Sequence, residues 1–310
     1  MTFEQVLEEI ADVGRTLTTS RLTGLSDLSA GQQNKLTETW PRIPTLRKER
    51  IVRLLADLAE DNVELDFEAV FRIAIADPDA TVRVVGIDGL CECTERWLLD
   101  RLILMVRNDE AEEVRAAAAE AMGRFALKAE LGDFPPRDTE KIDLVLLAVF
   151  EDEMASTSVR RKAIESLGVR NTERVSAAIR HAYASDQYDL RLGSIFAMGR
   201  SASEQWVNTI VGELTNDDPE MRYEAATALG EIEDERTVPY LVPLLGDDDL
   251  QVRLNAIAAL GHIGSARAKE ELRRCLSSPD EQTREAAEEA LEEVTFGHNP
   301  FSFGIDADQN

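Results

Sequence analysis

The sequence contains few of the residues on which enzymes and disulfide-stabilised proteins depend. Its 310 residues include three histidines, three cysteines and 5% aromatic residues. Cys91, Cys93 and Cys275 are too few for a disulfide framework, and one Cys-x-Cys pair falls short of the roughly four ligands of a closed zinc site. We therefore expect reduced cysteines that serve packing, with Cys91 and Cys275 among them. We expect no bound metal and no cofactor.

Long apolar runs are also missing. The longest, residues 144–150, has seven residues and cannot span a bilayer. No basic stretch precedes an apolar run near the N-terminus, so we expect no secretory signal. The sequence predicts a cytoplasmic protein that does not insert into membranes.

Basic residues are outnumbered by acidic ones. Lys and Arg total 34 against 60 Asp and Glu, which gives a formal net charge of −26 and a pI near 4.5. A surface dominated by carboxylates repels phosphate backbones and anionic lipids. We therefore expect neither nucleic acid nor a membrane surface as a partner.

An arginine recurs at a regular interval through most of the chain. The intervals are 32, 45, 31, 31, 31 and 31 residues, and a period of this size is typical of helical repeat arrays. The recurring arginines are Arg83, Arg115, Arg160, Arg191, Arg222, Arg253 and Arg284.

Small and apolar residues keep a fixed distance from each arginine. The third residue after it is small, the seventh is Leu or Met, and a separate apolar segment lies about twelve residues before it. Positions 0, 3, 4 and 7 share one face of a helix, so each copy is predicted to be an amphipathic helix B preceded by an amphipathic helix A. Stacked pairs bury a continuous core, which predicts an all-α, right-handed α-solenoid of about seven helix pairs.

The phrase Val-Arg-x-x-Ala-x-x-Ala-Leu-Gly, which ends at Gly261 and follows Asp247, resembles HEAT repeats. Its short 31-residue form is similar to the HEAT-like repeats of phycobilin lyases. The resemblance covers residues 66–294. It implies that the seven arginines form a structural ladder with the aspartates of neighbouring turns, and it implies little about function because this repeat occurs in proteins with many roles.

The remaining segments differ from the array. Residues 1–65 are predicted to form a helical N-terminal cap, with helices near 3–14, 29–40 and 45–60, a loop at 15–28, and a degenerate first repeat around Arg47. About 14 extra residues at 127–140 contain Pro135-Pro136 and predict a protruding loop. Residues 295–310 carry three phenylalanines among glycines and predict an extended tail that leaves the helical pattern.

Known catalytic patterns are missing from this sequence. HEAT-like enzymes that resemble deoxyhypusine hydroxylase hold two irons with repeated His-Glu dipeptides, and this sequence contains no such dipeptide. It also contains no glycine-rich phosphate loop and no Gly-x-Ser-x-Gly elbow. We therefore expect a protein that is not an enzyme.

The remaining functional surface is the outer face of the helices B. Positions 2, 5 and 9 after each arginine point away from the predicted core, and we expect them to line the concave side with more acids than bases. Lys162 is one of the bases at these positions. The candidate partner surface comprises Asp88, Glu92, Glu120, Arg124, Glu165, Phe196, Arg200, Glu224, Glu231, His262, Glu289 and Glu293.

These patterns predict a non-catalytic scaffold or adaptor that presents an acidic concave surface to a protein partner with a basic or polar segment. One alternative is an enzyme or accessory subunit of the bilin lyase type. A second is a nucleic-acid repair module of HEAT-like architecture, although such modules present a basic, aromatic-bearing groove.

Overall fold

The structure is a computed structural model that describes residues 2–298. Every regular element in this part of the chain is a helix, which confirms the prediction of an all-α solenoid. None of the helices within residues 2–298 is long and apolar enough to cross a membrane.

The chain divides into two compact units, residues 1–166 and 167–310. Short 3₁₀ helices, such as Thr23–Leu25 and Trp40–Arg42, join some of the α-helices. The α-helices up to the unit boundary are α1 (Phe3–Ala11), α2 (Thr19–Leu22), α3 (Ala30–Thr39), α4 (Thr45–Asp61), α5 (Glu68–Ala74), α6 (Ala80–Asp88), α7 (Arg96–Asn108), α8 (Glu112–Ala121), α9 (Gly123–Glu130), α10 (Pro136–Glu151) and α11 (Thr157–Leu167). Those of the second unit are α12 (Glu173–Tyr183), α13 (Tyr188–Arg200), α14 (Val207–Glu213), α15 (Pro219–Ile232), α16 (Val238–Leu241), α17 (Leu250–Ile263), α18 (Ala266–Cys275) and α19 (Glu281–His298).

The predicted helix pairs are present from α5 onwards. Helices A are α5, α7, α10, α12, α14, α16 and α18, and helices B are α6, α8, α11, α13, α15, α17 and α19. The apolar residue seven positions after the arginine is buried in the copies from Leu90 to Leu260, because that position faces helix A. Helix α6 packs beside α8 in the first unit, and α13, α15, α17 and α19 pack side by side in succession in the second.

Aspartates begin several helices B. The Asp249 carboxylate accepts hydrogen bonds from the backbone nitrogens of Gln251 (2.8 Å) and Val252 (3.2 Å), and Asp79 and Asp218 cap α6 and α15 in the same manner. A side-chain acceptor at this position satisfies an amide that the first helical turn leaves unpaired. Helix α17 ends at Gly264, whose φ of 58° is the left-handed conformation that glycine adopts without strain.

A glycine and an alanine bring successive helices B of the second unit into close contact. A Cβ atom built on Gly199 of α13 would lie 2.6 Å from the Cα atom of Ala228 in α15, closer than real Cβ atoms approach. Only glycine fits such a backbone contact, and the same step recurs every 31 residues. We call these contacts the glycine–alanine steps; they are Gly168–Ala197, Gly199–Ala228, Gly230–Ala259 and Gly261–Ala290.

The first unit lacks this regular series. Gly123 faces Ser166, whose Oγ atom lies 3.1 Å from a Cβ built on the glycine and donates a hydrogen bond of 2.9 Å to the carbonyl oxygen of Ala119. At the corresponding position after α6 stands Cys91, where the helix has already ended. Helix α6 ends five residues after Arg83, whereas α15 and α17 end ten residues after Arg222 and Arg253.

The residues of α6 explain its early end. The segment Thr81–Leu90 is rich in β-branched residues, and it contains Gly86 and Gly89. Both residue types lower helix propensity. Gly89 is also packed against the ring of Phe71, since a Cβ built there would lie 2.3 Å from a ring carbon.

Two predictions, about the N-terminal cap and the inserted segment, need correction. The loop at 15–28 contains α2 and a 3₁₀ turn, with Leu22 and Leu25 buried in the cap. The insertion at 127–140 is mainly helical, because Pro136 occupies the first turn of α10, where its missing N–H costs no hydrogen bond. Its loop is confined to residues 131–135, and Phe134 packs against Phe125 with ring centroids 6.0 Å apart.

The predicted end of the helical pattern at residue 294 is also wrong. Helix α19 continues to His298, so residues 295–298 extend the last helix B by about one turn. The rest of the predicted tail, residues 299–310, lies outside the described residues.

Candidate functional site

The candidate surface is the face that helices B turn away from helices A. In the first unit, Asp88, Glu92 and Glu120 are exposed and Arg124 is half-buried. In the second unit, the exposed residues of the predicted set are Arg200, His262, Glu289 and Glu293, and the half-buried ones are Phe196, Glu224 and Glu231.

Glu165 does not belong to the exposed surface. It is 9% exposed and accepts a hydrogen bond of 2.6 Å from Nε of Arg161, with Nζ of Lys162 at 3.3 Å. Two cations on its own helix hold this carboxylate against the protein, since residues three and four apart on a helix are neighbours. The prediction that Glu165 faces a partner is therefore wrong.

The bases predicted on this face in the first unit are already engaged. Lys162 bridges Glu165 and Glu120, whose carboxylate lies 2.9 Å from its Nζ atom. Arg124 donates from Nε to the carbonyl oxygen of Cys93 at 3.1 Å, and burial lowers the pKa of its guanidinium group. The acids of this face thus keep an excess of negative charge.

Neighbouring carboxylates on α6 and α8 reinforce one another's field. Removal of water by surrounding protein atoms, followed by repulsion from Glu120, raises the pKa of Asp88. In the second unit, burial raises the pKa of Glu231, while Arg200 and His262 oppose the shift. A cation placed near either carboxylate would relieve its unfavourable environment.

The recurring arginines close the turns before helices B. Nη1 of Arg222 donates to the carbonyl oxygens of Asn216 (2.8 Å) and Asp217 (3.1 Å), six and five residues earlier. Arg83, Arg115, Arg253 and Arg284 make the corresponding pair of bonds to their own turns.

Two of these arginines also reach the next repeat. Arg222 binds both carboxylate oxygens of Asp247 at 2.7 Å, and Arg83 binds Asp109 at 2.7 Å. Arg160 instead donates from Nε to the carbonyl oxygen of Phe150 at 2.9 Å, and Arg191 is half-buried. These are the positions that the resemblance assigned to a structural ladder.

The first repeat uses a different cation from the one predicted. Arg47 binds the backbone carbonyls of Ile10 and Glu9 in the cap, whereas Lys48 donates to Asp77 at 2.7 Å with its side chain only 6% exposed. Nε1 of Trp40 also donates to Asp77 at 2.7 Å. Lys48 therefore occupies the position of the recurring arginine.

A pocket opens in the first unit where α6 ends early. Its volume is about 620 Å³, and it lies among the C-terminal halves of α4 and α6 and the beginning of α5. Phe67, Phe71 and Leu90 are buried beneath it, and Ala56, Ala59 and Leu65 add further apolar surface. The lining includes five carboxylates and no Lys or Arg; these acids are Glu60, Asp66, Glu68, Asp88 and Glu92.

Two of the three cysteines line the same pocket. Cys91 is exposed, which corrects the prediction that it serves packing, while Cys93 is half-buried and Cys275 is buried. Burial raises the pKa of the Cys93 thiol, so this group is protonated at neutral pH. Among residues 2–298, no cluster of three or more His, Cys, Asp or Glu side chains is arranged to hold a metal ion.

Sequence reasoning located most acids of this surface but missed the glycine–alanine steps, Lys48 and the pocket. The signal for the steps was present, since Gly168, Gly199, Gly230 and Gly261 are each 31 residues apart. Ile51 and Leu55, three and seven residues after Lys48, marked the true register of the first repeat.

Stacked helix pairs with cross-linked turns define the class of α-solenoid proteins. Comparison with family models indicates which kind of α-solenoid repeat is present. Segments 187–250 and 207–292 match the model described as HEAT repeats. Residues 187–292 thus resemble HEAT repeats in sequence. No curated protein matches the sequence. The expected similarity to phycobilin lyase repeats stays a prediction.

Solved structures of similar fold share little sequence with the chain. A chain from the complex of Kap95p with RanGDP is 13% identical with a TM-score of 0.53; the match covers 94% of this protein and 45% of that chain. The protein thus spans less than half of that neighbour. The YibA protein of Escherichia coli is 20% identical with a TM-score of 0.49, covering 91% and 98% of the two chains. Human deoxyhypusine hydroxylase is 16% identical with a TM-score of 0.35, covering 94% and 96%.

Proposed function

We propose that this protein is a non-catalytic scaffold that presents the acidic face of its helices B to a protein partner with a basic or polar segment. One observation carries the proposal. In the first unit, Asp88 at the end of α6 and Glu92 in the turn that follows are exposed; in the second unit, Glu289 and Glu293 of α19 are exposed. Lys162, by contrast, is engaged with neighbouring carboxylates. The proposed location is the cytoplasm, on the sequence grounds given above.

A stacked array suits this role for a physical reason. Its surface is formed before the partner arrives, so binding an extended segment requires little ordering of the scaffold. The excess of carboxylates accelerates encounter with a cationic segment and disfavours an anionic one. The same field argues against nucleic acid as the partner.

The similarity to the chain from the Kap95p complex supports the solenoid fold on which the proposal depends, and it supports no particular partner. In that complex, Kap95p binding induces the switch loops of RanGDP to adopt the GTP-bound conformation, so that solenoid contacts a protein. At 13% identity, the likeness does not transfer a partner to this chain.

A fluorescein-labelled decapeptide of alternating lysine and serine provides the test. Its affinity for the wild-type protein should fall as salt increases, since exposed charges are screened over about 10 Å at 0.1 M ionic strength. Glu289→Lys/Glu293→Lys should weaken binding several-fold in fluorescence anisotropy. The matched control is Glu140→Lys/Glu151→Lys, which makes the same change of charge on helix A α10.

The control decides whether the face or the net charge binds the peptide. Equal weakening by both double variants would contradict the proposal, because it would mean that only the total charge matters. Binding of a glutamate–serine decapeptide as tightly as the lysine–serine peptide would contradict it as well.

A further inference from the structure

We infer that the 620 Å³ pocket in the first unit anchors the partner by one large apolar side chain flanked by lysine or arginine. This inference rests on the proposed function and names the chemistry of its partner. It assigns the pocket to a peptide segment in which basic residues surround a phenylalanine or leucine.

The pocket offers apolar surface at its base. Phe67, Phe71 and Leu90 form a buried layer beneath it, and Ala56 and Ala59 of α4 form one wall without large side chains. An apolar side chain that enters this space is removed from water, which favours binding roughly in proportion to the area buried. Its volume lies within the range typical of pockets that bind drug-sized molecules, about 300–1,000 Å³.

The rim of the pocket specifies the charge of the occupant. All charged residues that line it are carboxylates, and they come from α4, the α4–α5 connection, α5 and the end of α6. Burial, with smaller contributions from Glu95 and Asp66, raises the pKa of Glu68 against the opposing effect of Arg72. A cationic residue beside the apolar anchor would approach this rim with a complementary charge.

The pocket exists because the regular packing of the repeats fails there. In the second unit, the glycine–alanine steps hold successive helices B together along α13, α15 and α17. In the first unit, the C-terminal part of α6 is replaced by turns around Cys91 and Cys93. The opening is therefore a local departure from the repeat and is not a feature that every helix pair would produce.

Paired peptides test the anchor separately from the charge. Probe peptides contain four lysines around a central phenylalanine, or around a central serine. We expect the phenylalanine peptide to bind the wild-type protein at least roughly tenfold more tightly, the effect of burying one large apolar side chain. Equal affinities of the two peptides would overturn the inference.

Filling the pocket should remove that difference. Ala59→Trp places a large side chain in the cavity and should reduce the affinity for the phenylalanine peptide to the affinity that the same variant shows for the serine peptide. Ala56→Trp is a second filling variant, and circular dichroism verifies that each retains the helical fold. An undiminished preference for phenylalanine in both folded variants would overturn the inference.

Cys91 reports directly on occupancy of the pocket. It is exposed and lines the opening, whereas Cys275 is buried in α18. Bound phenylalanine peptide should slow alkylation of Cys91 by iodoacetamide several-fold and leave Cys275 unaffected. Unchanged Cys91 reactivity at saturating peptide would overturn the inference.

The design separates this inference from the proposed function. Glu289→Lys/Glu293→Lys alters acids of the second unit and should preserve the ratio between the two peptides. If basic peptides bind with no preference for phenylalanine, the scaffold proposal stands and the anchor fails. If a phenylalanine peptide flanked by serines binds as tightly as the one flanked by lysines, the occupant does not need basic residues and the inference is wrong. It is also wrong if the wild-type protein is a dimer in sedimentation velocity and Ala59→Trp is a monomer, because the pocket would then hold a second copy of this chain.

Discussion

The two units build helices B by one repeat pattern but pack them differently. In the second unit, four glycines spaced by 31 residues each accept the alanine of the next helix. In the first unit, the corresponding positions are Cys91 and Gly123, and Gly123 faces a serine. The regular unit presents an even face, whereas the irregular unit has a pocket with an apolar base and an acidic rim.

This difference shows what a departure from the repeat can provide. A solenoid with identical steps offers a repeated surface, which suits an extended partner. One shortened helix adds a site of a different kind without disturbing the core, because the seventh residue after Arg83, Leu90, remains buried. The ion pairs between turns also differ. The first unit begins with the buried Lys48–Asp77 pair, and the second contains the Arg222–Asp247 pair, which lies nearer the surface.

The largest expected effect concerns the buried pair of the first unit. Lys48→Met would leave the Asp77 carboxylate without its cation, although Trp40 and the Asp79 backbone nitrogen would still donate to it. Removing one member of a buried ion pair costs roughly 3–5 kcal/mol in the free energy of unfolding. Urea unfolding followed by circular dichroism measures this loss.

A double variant serves as the control for that result. Lys48→Met/Asp77→Asn removes the isolated charge as well, so it should recover part of the lost stability. A change below about 1 kcal/mol for Lys48→Met would be within the range of exposed ion pairs and would contradict the assignment of Lys48 to the ladder.

The next effect tests the glycine–alanine steps of the second unit. Gly199→Ala forces a methyl group against the backbone of Ala228 and should destabilise the protein by about 1–3 kcal/mol. Gly212→Ala is the matched control, because no atom lies within 4 Å of a Cβ built there. Alanine should stabilise that helical position by about 0.5–1 kcal/mol. Similar unfolding midpoints for the two variants would show that the helices are not held by this contact.

A third effect, with a distinct pH dependence, is expected at Arg222. Its hydrogen bonds lower the pKa of Asp247, so the pair stabilises the folded state above the unfolded pKa of about 3.9 and loses this effect as pH falls through the folded pKa. Arg222→Met should cost roughly 1.5–3 kcal/mol at neutral pH. The difference from wild type should shrink below about pH 4.

The control for Arg222 is an arginine at the surface. Arg236 pairs with Glu204 and Asp234 while its own side chain remains 66% exposed, so Arg236→Met should change stability little. Urea unfolding of both variants across the acidic range compares them. A gap between Arg222→Met and wild type that widens on acidification would contradict the sign of the shift.

Much of the fold could be predicted from the sequence period, because each helix pair packs against its neighbours in the same way. The arginine spacing located the helices B, and the apolar residues twelve positions earlier located the helices A. The loop predicted at 127–140 is confined to residues 131–135, because Pro136 begins a helix. A Pro-Pro pair occurs both within loops and at the first turn of helices. The tertiary contacts that fix where α10 starts decide between the two, and local sequence does not contain them.

The candidate surface was only partly predictable. Helical register placed Asp88 and Glu293 on the outer face, but Glu165 turned inward to two neighbouring cations. The pocket depends on where α6 ends and on the ring of Phe71 beneath Gly89. Both are properties of contacts between helices, which a single-sequence pattern does not contain.

Carboxylate footprinting with a bound basic peptide tests the central claim most directly. The protein is modified with a carbodiimide and glycine amide, with and without the lysine–serine decapeptide, and each Asp and Glu is quantified by mass spectrometry. The account predicts protection of Asp88 and Glu92 by a peptide bound to the first unit and of Glu289 and Glu293 by a peptide bound to the second, with Glu140 and Glu151 unchanged. Protection centred on Glu140 and Glu151, or spread evenly over all exposed acids, would contradict it.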